Sequence, residues 1–124
     1  MHIFRCCNEK GGISTAVQQE RISNQLSQIE WLFFEATRLN PEPPTWVLVT
    51  GHYPIYSGGE HGDSSELIEH LNPLLEKYNV DGYFSGHDHL GQHLQINQIN
   101  YFISGGGALT STSKTNVSFL KFNL

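Results

Sequence analysis

Three histidines that follow predicted β-strands are the residues of this sequence most suited to chemistry. His52 follows a glycine at the end of one apolar run, and His87 and His89 follow Gly86 after a second strand-forming run. Neutral imidazole nitrogens are common metal ligands, and Gly86 is expected to turn the backbone sharply where its strand ends. The pattern predicts a metal site built from these three histidines. The alternative is a polar loop whose imidazoles only form hydrogen bonds.

The segment between the two Gly-His turns has a helical pattern, so a βαβ unit is the expected arrangement. Predicted strands at 45–50 and 81–85 flank that helix. Strands connected in this way run parallel with a right-handed crossover, and their carboxyl ends meet at one edge of the sheet. Ligand sites of open α/β sheets lie outside that edge. We therefore expect His52 to lie within a few ångströms of His87 and His89.

Two helices are predicted from apolar residues that recur every three or four positions. The first begins near Thr15, and Trp31 and Leu32 are expected to widen its apolar stripe. The second is expected to be capped by Asp63 and to be kinked or restarted at Pro73. The residues of the two stripes, which we expect to be core, are Ile22, Leu26, Ile29, Phe33 and Ala36, then Leu67, Leu71, Leu74, Leu75 and Tyr78.

The remainder of the sequence predicts further sheet. Alternating apolar and polar residues indicate a hairpin with its turn near Gln98, and a last strand is predicted at 117–122. The glycine run 105–107 lacks the lysine and the spacing of a phosphate loop, so a turn is expected there. His70 and His93 are expected to be ordinary surface or hydrogen-bonded histidines.

Composition indicates a globular chain of one-domain size and excludes several function classes. The 124 residues are 38% hydrophobic, and twelve acidic against seven basic residues give a formal net charge of −5. The basic residues are scattered, so we expect neither a nucleic-acid surface nor an anionic-membrane surface. Cys6 and Cys7 are adjacent and too few for a disulfide framework. We expect no signal peptide and no transmembrane segment.

Four motifs in a fixed order resemble those of the tartrate-resistant type of purple acid phosphatase, within the calcineurin-like metallophosphoesterases. They are Gly51-His52-Tyr53-Pro54, Glu60-His61-Gly62, Gly86-His87-Asp88-His89 and Ser104-Gly105-Gly106-Gly107. The similarity extends from about Gln25 to Gly107, and the ordered set is far more specific than any one motif. It implies that residues 1–124 are the carboxyl-terminal half of one metallophosphoesterase domain, with no second domain.

The resemblance implies an α/β fold that is half of a four-layer α/β/β/α sandwich. It also implies a hydrolase of phosphate monoesters with two metal ions, iron(III) paired with iron(II), zinc or manganese. By correspondence of the motifs, His52 and His87 would bind the divalent metal and His89 the ferric one. His61 would lie near the phosphate and could donate a proton to the leaving group.

Several motifs of that family have no counterpart in this sequence. Gly-Asp-x-Gly, Gly-Asp-x-x-Tyr and Gly-Asn-His, which supply its aspartate, tyrosinate and asparagine ligands, are absent. Tyr53 and Tyr56 belong to a different motif, and Asp88 stands where the family uses no ligand. Each metal would therefore keep fewer than the usual three protein ligands. We predict that the isolated chain binds at most one metal ion weakly and hydrolyses phosphate monoesters only at background rates.

Three interpretations of function follow. The chain is an incomplete part of an acid phosphatase whose activity belongs to the intact parent, a non-catalytic module that binds a metal or a partner, or a phosphodiesterase of the same superfamily. The resemblance implies a secreted, lysosomal or vacuolar parent. A half-fold would expose the apolar face that its missing sheet should cover, which predicts self-association.

Overall fold

The computed structural model describes residues 15–107, which form a mixed α/β structure. The chain divides into two compact units, Met1–Thr45 and Trp46–Leu124. The strand predicted at 117–122 lies outside the described residues. None of the helices within residues 15–107 is long and apolar enough to cross a membrane.

The first unit contains the long predicted helix, which is confirmed as α1 (Thr15–Phe34) and continues as a π-helical turn, Glu35–Leu39. Ile29 and Phe33 of the predicted stripe are buried. The expectation that Trp31 and Leu32 widen the stripe is wrong, since their exposed fractions are 56% and 44%. A π turn has more residues than an α turn, and this shifts the stripe past Ala36, which is exposed.

The second unit is built on a four-stranded sheet. Its strands are β1 (Leu48–Thr50), β2 (Gly82–Ser85), β3 (Gly91–Ile96) and β4 (Ile99–Ser104), in the spatial order β1-β2-β4-β3. The predicted parallel pairing of β1 with β2 is confirmed. β2 also pairs parallel with β4, whereas β3 and β4 form an antiparallel hairpin.

Strand β1 is shorter than predicted because a side chain replaces the backbone partner at its start. The Val47 amide donates to Asp81 Oδ2 at 2.7 Å. The Asp81 amide in turn donates to the Val47 carbonyl at 2.9 Å. The regular ladder therefore begins one residue later, at Leu48.

The predicted second helix is two short helices, α2 (Ser65–His70) and α3 (Asn72–Lys77). Pro73 lies in the first turn of α3, where the missing amide costs no hydrogen bond, so the helix restarts at this point. The prediction that Asp63 caps α2 is wrong. The cap position is Ser64, without a side-chain cap bond, and Asp63 Oδ1 instead accepts from the Ser57 amide at 2.8 Å.

The predicted hairpin of β3 and β4 is confirmed and turns at two residues. Asn97 and Gln98 have φ angles of 49° and 70°, as in the two-residue turns that match strand twist. Asn97 Nδ2 also donates to Glu76 Oε1 of α3 at 2.9 Å, which ties the turn to that helix.

One face of the sheet carries the core and the other carries a row of rings. Side chains alternate along strands, and the buried set, which includes residues of α2 and α3, is Val49, Leu67, Leu71, Leu75, Tyr78, Tyr83, Ile99, Tyr101 and Ile103. We call the opposite row the outer face, consisting of Leu48, Phe84, Phe102 and His93. Its rings stack with centroids 4.6 Å apart, Phe84 on Phe102 and Phe102 on His93.

Candidate functional site

The two Gly-His loops are joined by hydrogen bonds that continue the parallel ladder beyond the strands. The Gly51 amide donates to a β2 carbonyl at 2.9 Å, and the Gly86 amide donates to the His52 carbonyl at 3.0 Å. The Tyr83 hydroxyl donates to the Tyr53 carbonyl at 2.9 Å. Gly51 must lack a side chain because a Cβ atom there would overlap the Tyr83 hydroxyl. Strand pairing thus fixes both loops at the carboxyl edge of the sheet.

Four rings from three loops meet at this edge. The centroid of the His87 ring lies 5.2 Å from that of His52, 4.5 Å from that of Tyr53 and 4.4 Å from that of His61. The structure therefore brings His52, His61 and His87 together. His89, the fourth predicted site residue, is half-buried two positions after His87.

Residues 86–90, which we call the His loop, turn sharply at His87 rather than at the preceding glycine. His87 has φ 65°, whereas the φ of Gly86 is not positive. The left-handed region costs a non-glycine residue roughly 1–2 kcal/mol. The expectation that Gly86 makes this turn is wrong, since hydrogen bonding of the Gly86 amide to His52 keeps it in line with the ladder. Such strain concentrates at functional sites.

The surroundings of His87 favour its neutral form. Burial lowers the pKa of His87, the nearby His61 and His52 lower it further, and the Asp88 carboxylate opposes them. Neutral imidazole is the form that ligates metals. The surroundings of His87 therefore favour a neutral imidazole, which can ligate a metal, over a permanently charged one.

A buried carboxylate, which the sequence did not single out, lies near the His61 ring. Asp88 is 1% exposed. It accepts hydrogen bonds from the Ser57 hydroxyl and, at 3.2 Å, from the His61 amide. Its Oδ1 is 3.9 Å from His61 Nε2. The sequence carried no direct signal for this burial, since residues 87–90 form a bend in which the alternation of a strand does not apply.

Gly105 has a different role from the turn predicted for the glycine run. A Cβ atom on Gly105 would overlap the Asp88 carbonyl oxygen and lie 2.7 Å from its carbonyl carbon. The Gly105 amide donates to the Leu90 carbonyl at 3.2 Å. Gly105 thus packs against the backbone of the His loop, and the predicted turn is confirmed at Gly106 and Gly107.

The spacing of His52 and His87 is compatible with a shared metal ion, but residues 15–107 hold no complete donor set. Two imidazoles on one tetrahedral ion have centroids roughly 5 Å apart, given metal–nitrogen bonds of about 2.0–2.1 Å. The 5.2 Å between His52 and His87 matches that spacing. Within residues 15–107, however, no group of three or more His, Cys, Asp or Glu side chains could hold a metal ion. The nearest buried carboxylate, Asp88, is occupied by Ser57 and His61.

Comparison with curated proteins shows similarity to tartrate-resistant and purple acid phosphatases. The chain is 37% identical over 111 residues to human tartrate-resistant acid phosphatase type 5, covering 88% of this chain and 33% of that protein. It is 43% identical over 63 residues to purple acid phosphatase 7 of Arabidopsis thaliana, covering 51% and 19%. The chain thus spans about a third of the length of the first of these relatives, less than the half that the motifs implied.

Among solved structures, the fold is similar to one described as GAP50, the anchor in the inner membrane complex of Plasmodium. The TM-score is 0.60 and the identity 24%, covering 89% of this chain and 32% of that one. At this identity the likeness concerns the fold alone. It indicates that this chain forms part of a larger α/β fold.

A family model for calcineurin-like phosphoesterases matches residues 6–91. That segment contains both Gly-His loops, the loop that carries His61, and strands β1 and β2, which position the Gly-His loops. Together with the identities above, the match confirms the family resemblance that the four motifs indicated. The chain belongs to the calcineurin-like phosphoesterase family.

Proposed function

We propose that this chain is the histidine-bearing part of an acid phosphatase that hydrolyses phosphate monoesters. The observation that carries the proposal is the convergence of His52, His61 and His87 at the carboxyl edge of the parallel strands. Unrelated surface histidines have no reason to meet there, and ligand sites of α/β sheets lie at this edge. The similarity to tartrate-resistant acid phosphatases supports the substrate class.

In this proposal His52 and His87 ligate the divalent ion and His89 the ferric ion of a binuclear centre. When bound, such a centre neutralises charge on the phosphoryl group and lowers the pKa of bound water. Because the described residues provide only one corner of it, the remaining ligands come from elsewhere in the parent protein. The isolated chain is therefore expected to bind at most one ion weakly.

The chain's own residues orient the substrate and move a proton. The His61 side chain is 55% exposed, so its ring is accessible to a phosphate beside His87. A protonated His61 is positioned to donate to the oxygen of the leaving alcohol, a step that typically contributes 10²–10⁴-fold to rate.

A second candidate is a non-catalytic member of the family that binds a metal or a partner through the same fold. The incomplete donor set within residues 15–107 favours it. A phosphodiesterase is the third alternative, and it uses the same residues on a different ester. Secretion, or a lysosomal or vacuolar location, accompanies the phosphatase proposal, as does a single metallophosphoesterase domain.

A chimaera separates these alternatives. Residues 15–107 replace the matching segment of human tartrate-resistant acid phosphatase, and the protein is loaded with iron and zinc. We expect hydrolysis of p-nitrophenyl phosphate at acidic pH, loss of that activity in His87→Ala, and retention in His93→Ala, whose ring lies on the outer face.

Other results of the same assay contradict the proposal. A folded chimaera that binds two metals without turnover would support the non-catalytic candidate. Faster cleavage of bis(p-nitrophenyl) phosphate than of the monoester would support the phosphodiesterase. The 124-residue chain, assayed in parallel, should remain at background.

A further inference from the structure

Asp88 is a buried charge with no assigned role. It is 1% exposed, the lowest exposure of any charged side chain within residues 15–107. A carboxylate is costly to bury unless several donors replace its water. The donors that approach Asp88 all come from one segment, Ser57–Asp63, which we call the His61 loop.

Three contacts bring the His61 loop around this carboxylate. The Ser57 hydroxyl donates to Oδ2 of Asp88, and the His61 amide donates to Oδ1 at 3.2 Å. The same Ser57 hydroxyl accepts from the Gly59 amide at 3.0 Å. Asp88 therefore binds the loop at Ser57 and again at His61, and the Ser57 hydroxyl links the carboxylate to Gly59 between them.

The loop also passes as close to Asp88 as the backbone allows. A Cβ atom on Gly59 would lie 2.7 Å from Oδ2 and 2.8 Å from the carboxyl carbon of Asp88. Gly62 has φ 68°, which lets the loop turn back toward α2. Bonds within the loop, from the Ser57 amide to Asp63 Oδ1 at 2.8 Å and from the Gly62 amide to the Gly59 carbonyl at 3.3 Å, support its shape. Asp88 is the residue that attaches it to the His loop.

The ring of His61 depends on the same anchor. Its only ion-pair contact within the described residues is with Asp88 Oδ1, at 3.9 Å from Nε2. Its ring centroid lies 4.4 Å from that of His87. Without the anchor, a side chain that is 55% exposed has little else to keep it beside His87.

We propose that Asp88 is a positioning residue that closes the His61 loop onto the His loop and thereby sets the His61 ring against His87. The proposal deepens the phosphatase assignment and rests on it for the role of His61 as proton donor. Asp88 itself touches neither substrate nor metal. Its carboxylate acts by accepting two hydrogen bonds on separate oxygens, so an isosteric amide retains part of the function and a methyl group retains none.

The test is the nuclear Overhauser contact between the ring protons of His61 and His87 in the full 124-residue chain. We expect the contact in wild type, its loss in Asp88→Ala and its recovery in Asp88→Asn, since asparagine keeps an acceptor for the His61 amide. Asp81→Ala is the matched control. Asp81 also accepts a backbone amide, that of Val47, but lies away from the loop, so the contact should persist.

A folded Asp88→Ala chain that keeps the His61–His87 contact would overturn the proposal, as would equal loss of the contact in Asp81→Ala. If Asp88→Ala does not fold, Ser57→Ala decides the matter. It removes one of the two donors, so a weakened contact supports the proposal and an unchanged one overturns it. The measurement involves no catalysis, so it separates this proposal from the phosphatase assignment, which the chimaera tests.

Discussion

Replacing Gly105 by alanine should damage the site more than any other single-methyl change in this region. The added Cβ would overlap the Asp88 carbonyl oxygen and lie 2.7 Å from the carbonyl carbon. Both are backbone atoms, so no side-chain rotation relieves the contact. Non-bonded carbons normally separate by about 3.5–4.0 Å, so the His loop must move by roughly 1 Å.

The size of the effect follows from that displacement. Overpacking of this kind typically costs about 1–3 kcal/mol, which lowers the melting temperature of a domain of this size by roughly 4–8 °C per kcal/mol. A misplacement of about 1 Å can also reduce turnover by on the order of 10²-fold. In Gly105→Ala we therefore expect lower stability of the chain and, in the chimaera, lost activity.

Thermal unfolding of the chain followed by circular dichroism measures the first effect, and Gly106→Ala is the matched control. A Cβ on Gly106 would meet nothing within 4 Å, and its φ is not positive, so the change should stay within about 0.5 kcal/mol. Equal melting temperatures for Gly105→Ala and wild type would refute the close packing of Gly105 on the His loop. An equal fall in melting temperature for Gly105→Ala and Gly106→Ala would show that disruption of the turn, and not packing against the His loop, causes the destabilisation.

Two further outcomes are expected. Burial raises the pKa of Tyr83 to about 12, so its contribution to stability is present below pH 10 and is lost as pH rises through 12. At about 1.36 kcal/mol per pKa unit, up to roughly 3 kcal/mol should disappear, and urea unfolding at pH 9 and 12 should show a smaller fall in Tyr83→Phe. We also propose that the outer face mediates self-association, because Leu48 is 58% exposed beside stacked rings. Leu48→Lys should shift the chain toward monomer in sedimentation, whereas Ser65→Lys, at an exposed position of α2, whose buried residues belong to the opposite face, should not.

The sequence predicted the parts of the fold that depend on local pattern. Period-two and period-four apolar repeats identified α1, the βαβ unit and the hairpin, and the parallel crossover then required the two Gly-His loops to share an edge. The convergence of His52 with His87 follows from that topology alone. The spacing of the motifs therefore predicted the shared position of the histidines, although no single motif did.

The parts that sequence could not predict depend on close approach between distant segments. Asp88 lies in a loop, and nothing in the sequence indicates that the His61 loop encloses its side chain. Gly105 looked like a turn residue, and its packing against the Asp88 backbone is visible only in three dimensions. Asp63 had the spacing of a helix cap, but the amide of Ser57 offered a nearer donor.

Zinc affinity of the 124-residue chain tests the central claim most directly, namely that the Gly-His loops form a ligating corner. His87→Ala removes a proposed ligand, and His93→Ala removes an imidazole that instead bonds to Asn100 Oδ1 at 2.9 Å. Loss of a mere supporting partner costs roughly 10–100-fold in metal affinity, so loss of a ligand should cost at least tenfold. We predict that calorimetric titration shows weak binding of at most one zinc ion, a fall of that size in His87→Ala and no change in His93→Ala. Equal affinities for all three proteins would contradict the assignment.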